Sequence, residues 1–322
     1  MTTDDDHEQA AFSTAGAALL ALGQQLRDIG YQFCTVTPLT QARVNGRPGN
    51  EWARDYAGVF GWSRPFTENL LPRPLFSHLQ DAGVLVPYED GWRCTVRLST
   101  LGQQLFFHSA YPTLSPDSVF FGPDTVRFAG AIGTHLRVSR TVVTRAVDVG
   151  CGAGPGGIAI ARAAPDAHVL MVDINEAALC FSRINAALNR TPNVETRRGD
   201  ILKDTEGTFD LIVSNPPYLL DPGGRAYRHG GGHLGEGLSL AIVEAAVASL
   251  SPGGTLLLYT GSAIVDGVDG FRTAAERLLA GTAHRWSYFE MDPDVFGEEL
   301  EAGMYTQADR IAAVVLTVTR ED

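Results

Sequence analysis

Residues 215–218 read Asn-Pro-Pro-Tyr and close the apolar run Phe209-Asp-Leu-Ile-Val-Ser214. Two consecutive prolines fix φ at two positions and remove two backbone donors. The side chain of Asn215 and the carbonyl of Pro216 are left to accept hydrogen bonds. A planar –NH2 group suits such a turn: Asn215 Oδ1 and the Pro216 carbonyl take its two protons, and Tyr218 stacks on its face. An amide or aromatic amine is a poor nucleophile because its lone pair is delocalised. Two hydrogen bonds from its protons push the nitrogen toward tetrahedral geometry and stabilise the positive charge that develops as it attacks. Asn215, Pro216 and Tyr218 are therefore the catalytic candidates, and no titrating base is required.

A second group of residues precedes that turn. The stretch Thr144-Arg-Ala-Val-Asp-Val-Gly-Cys-Gly-Ala-Gly154 is a short apolar strand running through Asp148 into Gly150, Gly152 and Gly154, followed by helix-forming spacing from Ile158. Glycines at alternate positions allow a tight turn and close backbone approach to a ligand at the carboxyl end of a strand. A nicotinamide-binding protein would show a similar loop. Two further strand-like runs end in acids: His168–Asp173, placed for a ribose diol, and Val194–Asp200, where an adenine amino group could donate to a carboxylate.

Asp-x-Gly-x-Gly-x-Gly, then acids ending the second and third strands, then Asn-Pro-Pro-Tyr ending the fourth, together resemble the class I S-adenosylmethionine-dependent methyltransferases. Within these the chain is similar to the amino-methylating branch, with its release-factor glutamine, adenine-N6 and small-domain rRNA methyltransferases. The resemblance covers roughly residues 118–261 and extends to Gly235-Glu-Gly-Leu238 and Leu250-Ser-Pro-Gly-Gly254. It implies an α/β fold with a Rossmann-like seven-stranded sheet; the residues before it read as a smaller, mainly helical N-terminal domain of winged-helix pattern. It also implies S-adenosyl-L-methionine as cofactor, leaving as S-adenosyl-L-homocysteine. Asp148, Gly150, Gly152 and Gly154 would border its methionine part, Asp173 its ribose and Asp200 its adenine, with Asn215 between cofactor and acceptor. The acceptor implied is a planar amide or amine: a protein Gln or Asn, a nucleobase, or an amine-bearing metabolite. Two other readings stand beside it. One is a small-molecule methyltransferase acting on another nucleophile. The other is a winged-helix regulator that only senses the cofactor, which would have no need of the acceptor turn.

Composition narrows the partners. The 322 residues suffice for two domains, expected as 1–115 for acceptor recognition and 116–322 for cofactor binding. Net charge is −12, and the only lysine is Lys203. With no basic run longer than Arg197-Arg198, extensive nucleic-acid binding is disfavoured, because phosphate neutralisation dominates such affinity. The absence of an apolar run of membrane-spanning length and of a basic leader predicts a cytoplasmic protein without a membrane span. Cys34, Cys94, Cys151 and Cys180 are too scattered for a zinc site or a disulfide framework.

The positioning elements can be read more coarsely. Residues 11–30 and 70–82 have helical spacing, and 38–66, rich in Gly, Pro and Arg, reads as loop. A strand over 84–88, a turn and an alternating strand over 92–98 suggest a wing after the second helix. Ser118–Phe128 forms a turn before the first strand, with Asp124-Thr125 capping a helix beside the cofactor and Phe121 a candidate substrate contact. The glycine-rich stretch 219–234 reads as a mobile flap carrying Arg225, Tyr227, His229 and His233 as a polar substrate clamp. The intervening glycines argue against a His229–His233 metal site, so no metal is expected. The acidic stretch 290–301 reads as a solvated loop, or as a surface for cations if it faces the pocket.

Overall fold

In the computed structural model, residues 12–203, 205–221, 227–301 and 303–321 are described. Ser13 Oγ accepts from the Gly16 amide and starts helix α1 (Thr14–Asp28), which buries Ala18, Leu19, Leu22 and Leu26 along one stripe. The stretch expected as loop contains two short helices, α2 (Pro38–Asn45) and α3 (Tyr56–Phe60). Thr37 and Asp55 each accept an amide of the following first turn, and such caps outweigh the surrounding Gly and Pro. Helix α4 (Arg73–Asp81) leads into a hairpin of β1 (Leu85–Tyr88) and β2 (Gly91–Cys94). The alternating run 92–98 is not one strand. It breaks at Thr95, and β3 (Val96–Leu101) turns at Gly102 to pair with β4 (Gln104–Ser109), a second hairpin with Arg97 opposite His108.

Helix α5 (Pro123–Val138) opens the larger part. There follow β5 (Arg145–Val149), α6 (Pro155–Ala163), β6 (His168–Asp173), α7 (Glu176–Leu188), β7 (Val194–Arg198) and β8 (Phe209–Ser214). The chain continues through α8 (Gly237–Ser249), β9 (Leu250–Val265), β10 (Val268–Asp269), α9 (Gly270–Leu279), β11 (His284–Asp292) and β12 (Arg310–Arg320). The sheet order is β11-β12-β9-β8-β5-β6-β7, with β10 paired to β9 off that path. Neighbours from β7 to β9 are parallel, and β12 runs antiparallel between β9 and β11. Both faces are buried, so alternate residues serve opposite layers. Val147, Ile212 and Leu256 meet α8 and α9, while Ala146, Leu211 and Leu257 meet α5 and α6.

Helix α7 joins the two parts. Its Ala178 and Leu179 pack with Met171 of the sheet, whereas Ile184 and Leu188 belong to the apolar core formed by α1, α4 and β3. Asn185 accepts from the Phe107 amide (2.7 Å) and donates to the Phe107 carbonyl (2.9 Å), and Asn189 makes the same pair of bonds to Leu105. The residues before and after 115 thus share a core and a polar seam. Among the described residues no helix is long and apolar enough to cross a membrane.

Candidate active site

Strand β8 delivers the acceptor turn to the carboxyl edge of the sheet. Ser214 Oγ donates to the Val149 carbonyl at 2.7 Å, which holds the start of that turn against the end of β5. There the chain leaves β5 through Gly150, Gly152 and Gly154, all with φ between +54° and +82°. L side chains disfavour that region, so this loop needs glycine. A methyl at Gly150 would meet nothing within 4 Å, which shows that the loop faces open space. The cleft so formed is bordered by Gly150 and Gly152, by Asp173 and Asp200 at the ends of the next two strands, and by Asn215, Pro216 and Tyr218. Val119, Ile174 and Ile201 add apolar wall.

Two expected cofactor residues stand behind this surface rather than on it. Asp148 is 1% exposed; its Oδ2 accepts from the Gly157 amide at 2.7 Å, and its Oδ1 is buried without a partner. Burial pushes this carboxyl up to about 7, against the pull of the Gly157 amide and with the help of nearby Asp173. Gly154 is the N-cap of α6, close against Met171. Asp173 does face the cleft. Its Oδ2 accepts from Gly152 N at 2.9 Å and its Oδ1 from Asn175 N at 2.9 Å, tying the glycine loop to the second strand. Burial raises its pKa above the usual carboxylate range although these amides oppose it. Asp200 sits at the exposed rim, ion-paired with Lys203.

At the acceptor end, Asn215 lines the cleft and makes no side-chain hydrogen bond among the described residues. Tyr218 is 7% exposed and is held from behind: its hydroxyl donates to Asp124 Oδ2 at 2.7 Å. Tyr259 donates to Asp124 Oδ1 at 2.6 Å, and Arg127 bridges Asp124 to Asp292. Asp124 thus anchors Tyr218, beyond the capping role read from sequence; in that turn Thr125 Oγ1 accepts the Gly122 amide. Phe120 borders the cleft, whereas Phe121 is buried between Phe106 and His108 and lies outside it. Phe296, from the acidic stretch, also borders the cleft, edge-on to Tyr218. That stretch is partly neutralised, since Glu299 pairs with Arg228 and Asp292 with Arg127.

The glycine-rich stretch folds back onto the acceptor turn. Leu219 N donates to the Arg228 carbonyl (3.2 Å) and Gly230 N to the Leu219 carbonyl (2.8 Å). A methyl at Gly230 or Gly235 would lie 2.1 Å from a backbone oxygen, so these glycines serve close packing. Tyr227 borders the cleft, its hydroxyl donating to the Thr113 carbonyl at 2.8 Å. His229 and His233 are exposed and outside the cleft, and Arg225 lies outside the described residues. Among the described residues no group of three His, Cys, Asp or Glu could hold a metal ion.

A mainly parallel sheet of this order, with an antiparallel strand inserted beside the last, a glycine loop after the first parallel strand and acids ending the next two, is the class I methyltransferase fold. Residues 131–264 match the family described as the methyltransferase small domain. The release factor glutamine methyltransferase of Deinococcus radiodurans is 38% identical over 165 residues, 48% of this chain and 55% of that one. A 4-amino-L-phenylalanine/4-methylamino-L-phenylalanine methyltransferase of Streptomyces pristinaespiralis is 30% identical over 163 residues, 48% and 53% of the two chains. Ribosomal RNA small subunit methyltransferase C of Haemophilus influenzae is 39% identical over 89 residues, 27% of each. The chain thus spans about half or less of the length of these curated relatives. Trm5b of Pyrococcus abyssi shares the fold at a TM-score of 0.50 and 15% identity, covering 78% of this chain and 72% of that one. The resemblance read from the four sequence motifs is borne out by these comparisons.

The residues present fit a cationic nucleoside such as S-adenosylmethionine. The glycine loop leaves open space, and the apolar Ile174 and Ile201 suit a base. Buried Asp148 and half-buried Asp173 have no cationic partner among the described residues. A buried carboxylate without a counter-ion is stabilised when a positive charge arrives.

Proposed function

We propose that this protein is an N-methyltransferase that uses S-adenosylmethionine to methylate a planar amide or amine. The observation that carries the reading is Asn215: a polar side chain with no hydrogen bond to any of the described residues, at the end of β8, on a cleft it shares with the glycine loop and Asp173. When bound, the cofactor supplies a methyl group on a sulfonium, an excellent leaving group. Asp173 has lone pairs beyond those its two amides use, which would accept from ribose hydroxyls, and Asp200 would accept from the adenine amino group. Asn215 Oδ1 and the Pro216 carbonyl accept the two protons of the acceptor nitrogen and leave its lone pair directed at the methyl. Tyr218, held by Asp124, forms the wall against which the planar group lies. Rate enhancement comes from positioning and desolvation, and the proton leaves after transfer.

The part before residue 115 selects the acceptor in this reading, since it brings Pro38 to the cleft while the cofactor motifs lie after residue 145. Relatives named for glutamine, for an aromatic amine and for ribosomal RNA support an amino-type acceptor and leave its identity to experiment. The test is Asn215→Ala. Loss of an oriented bond that strengthens in the transition state should lower transfer of labelled methyl about a hundredfold or more. Affinity for S-adenosylhomocysteine by calorimetry should stay within about threefold. A variant with an unchanged transfer rate would overturn the amino-methylation reading.

A further inference from the structure

The acidic stretch between β11 and β12 brings one aromatic ring to the acceptor end of the cleft. Phe296 borders the cleft beside Tyr218, with ring centroids 5.9 Å apart and planes 65° apart. Its backbone is left-handed, φ +55° and ψ +40°, a region that bulky L side chains avoid. Flanking contacts hold it there. Val295 N donates to the Ile311 carbonyl at 2.7 Å, and Glu299 N donates to the Phe296 carbonyl at 2.9 Å. On one side Asp292 pairs with Arg127 of α5 at 2.7 Å; on the other Glu299 pairs with Arg228, which also borders the cleft. An aromatic residue clamped in an unfavourable conformation beside a ligand surface points to a role at that surface.

Several neighbours that could donate hydrogen bonds are already engaged. The Tyr218 hydroxyl donates to Asp124 at 2.7 Å, and the Tyr227 hydroxyl to the Thr113 carbonyl at 2.8 Å. Arg228 lies between two carboxylates, Glu299 and, at 3.6 Å, Asp221. Pro216 and Pro217 have no N–H. Phe120, stacked on Tyr227 with centroids 6.3 Å apart, borders the same cleft, as do Leu219 and Leu238. The body that carries the methyl acceptor thus meets mostly aromatic and apolar surface.

We propose, on the N-methyl-transfer reading of the cleft, that Phe296 is a specificity-determining residue. With Tyr218 it forms an aromatic corner that selects an –NH2 group borne on a flat ring over one borne on an aliphatic chain. A ring lying parallel to Tyr218 is crossed by Phe296 at the same 65°, and aromatic pairs attract both when stacked and when edge-on. A side-chain amide on an aliphatic stem gains neither contact. The substrate class is therefore an aryl amine, either a free small molecule or a nucleobase.

The test gives the full chain labelled S-adenosylmethionine and a set of probes. p-Toluidine and cytidine carry –NH2 on a ring, hexanamide carries it on a chain, and p-cresol offers oxygen in its place. Wild type should methylate at least one ring probe. Its preference for that probe over hexanamide should fall about tenfold or more in Phe296→Ala and in Phe296→Leu, which keeps apolar bulk and loses the ring. Comparing this ratio between proteins cancels the intrinsic reactivity of the probes. Calorimetric affinity for S-adenosylhomocysteine should stay within about threefold in both variants, which separates selectivity from folding. Either ring probe as the preferred one supports the class, and the faster of the two names its source. A ratio unchanged in both variants, or no transfer to either ring probe, would overturn the inference. Should both variants fail to fold, wild-type affinities for p-toluidine and hexanamide in the presence of S-adenosylhomocysteine decide, and equal values overturn it. Transfer to hexanamide alone sinks the ring class and leaves N-methylation standing. Transfer to p-cresol alone sinks the N-methylation reading, and failure to bind S-adenosylhomocysteine sinks methyl transfer itself.

Discussion

A carboxyl pushed to about 7, as burial does to Asp148, is half protonated near neutrality. Its pKa in the folded chain lies above that in the unfolded one, so between about pH 4 and about pH 7 the folded state holds a proton the unfolded state releases. The contribution of Asp148 to stability is therefore fully present at the acid end of this window and is lost as pH rises through it. A cationic ligand reverses the preference by favouring the charged carboxylate. Affinity for S-adenosylmethionine should rise from about pH 6 to about pH 8, and Asp148→Asn should flatten that slope in calorimetry. Asp173→Ala should weaken cofactor binding about tenfold or more with the fold intact, because in the proposed complex it would remove charge-assisted bonds to the ribose diol; unchanged affinity would remove Asp173 from the proposed cofactor site. These residues were legible because a strand end, a glycine loop and a proline turn are local signals. Asp124 was legible only as a cap. Its real partners, Tyr218 and Tyr259, are 94 and 135 positions away, and no local pattern encodes that distance.

At the scale of elements, the strands and helices after residue 143 followed from apolar runs buried on both sides, and their order from the motifs they carry. Errors clustered where a few side chains outweigh composition. Thr37 and Asp55 made helices of a Gly- and Pro-rich stretch, and one alternating run was split between two hairpins. The glycines after the acceptor turn read as mobility, yet two of them, Gly230 and Gly235, serve close packing. Gly235 has φ +97°, and a methyl there would lie 2.1 Å from the Tyr218 carbonyl oxygen. Gly235→Ala should therefore displace the acceptor turn and lower turnover by about tenfold or more while cofactor affinity changes little; the ratio of the two effects is the measurement. Helix α7 offers a stability test. Asn185→Ala strands the Phe107 amide and carbonyl and the Ala153 carbonyl, each bonded within 2.9 Å in the intact protein. It should cost about 2–4 kcal/mol, read as a lower Tm and denaturant midpoint.

For the whole molecule, an expected boundary near residue 115 suits the chain trace better than the packing. Two residues of α7, Ile184 and Leu188, are buried to within 1% in the core of the preceding part. Protein beginning at Ser115 should lose solubility or unfold at markedly lower temperature, as circular dichroism and size-exclusion chromatography would show; a well-folded fragment would restore the simple division. The sequence could not reveal this, because an amphipathic helix shows that it has an apolar face and not which neighbour covers it. Asn185 carries the point further, holding the Phe107 backbone with one side chain while donating to the Ala153 carbonyl in the glycine loop. What can be inherited or grafted as a module is therefore discontinuous in sequence: residues 12–109 together with positions 184, 185, 188 and 189. A recombination that exchanges acceptor preference between homologues must carry both pieces, and a crossover placed only at the visible linker would separate a lock from its keyhole.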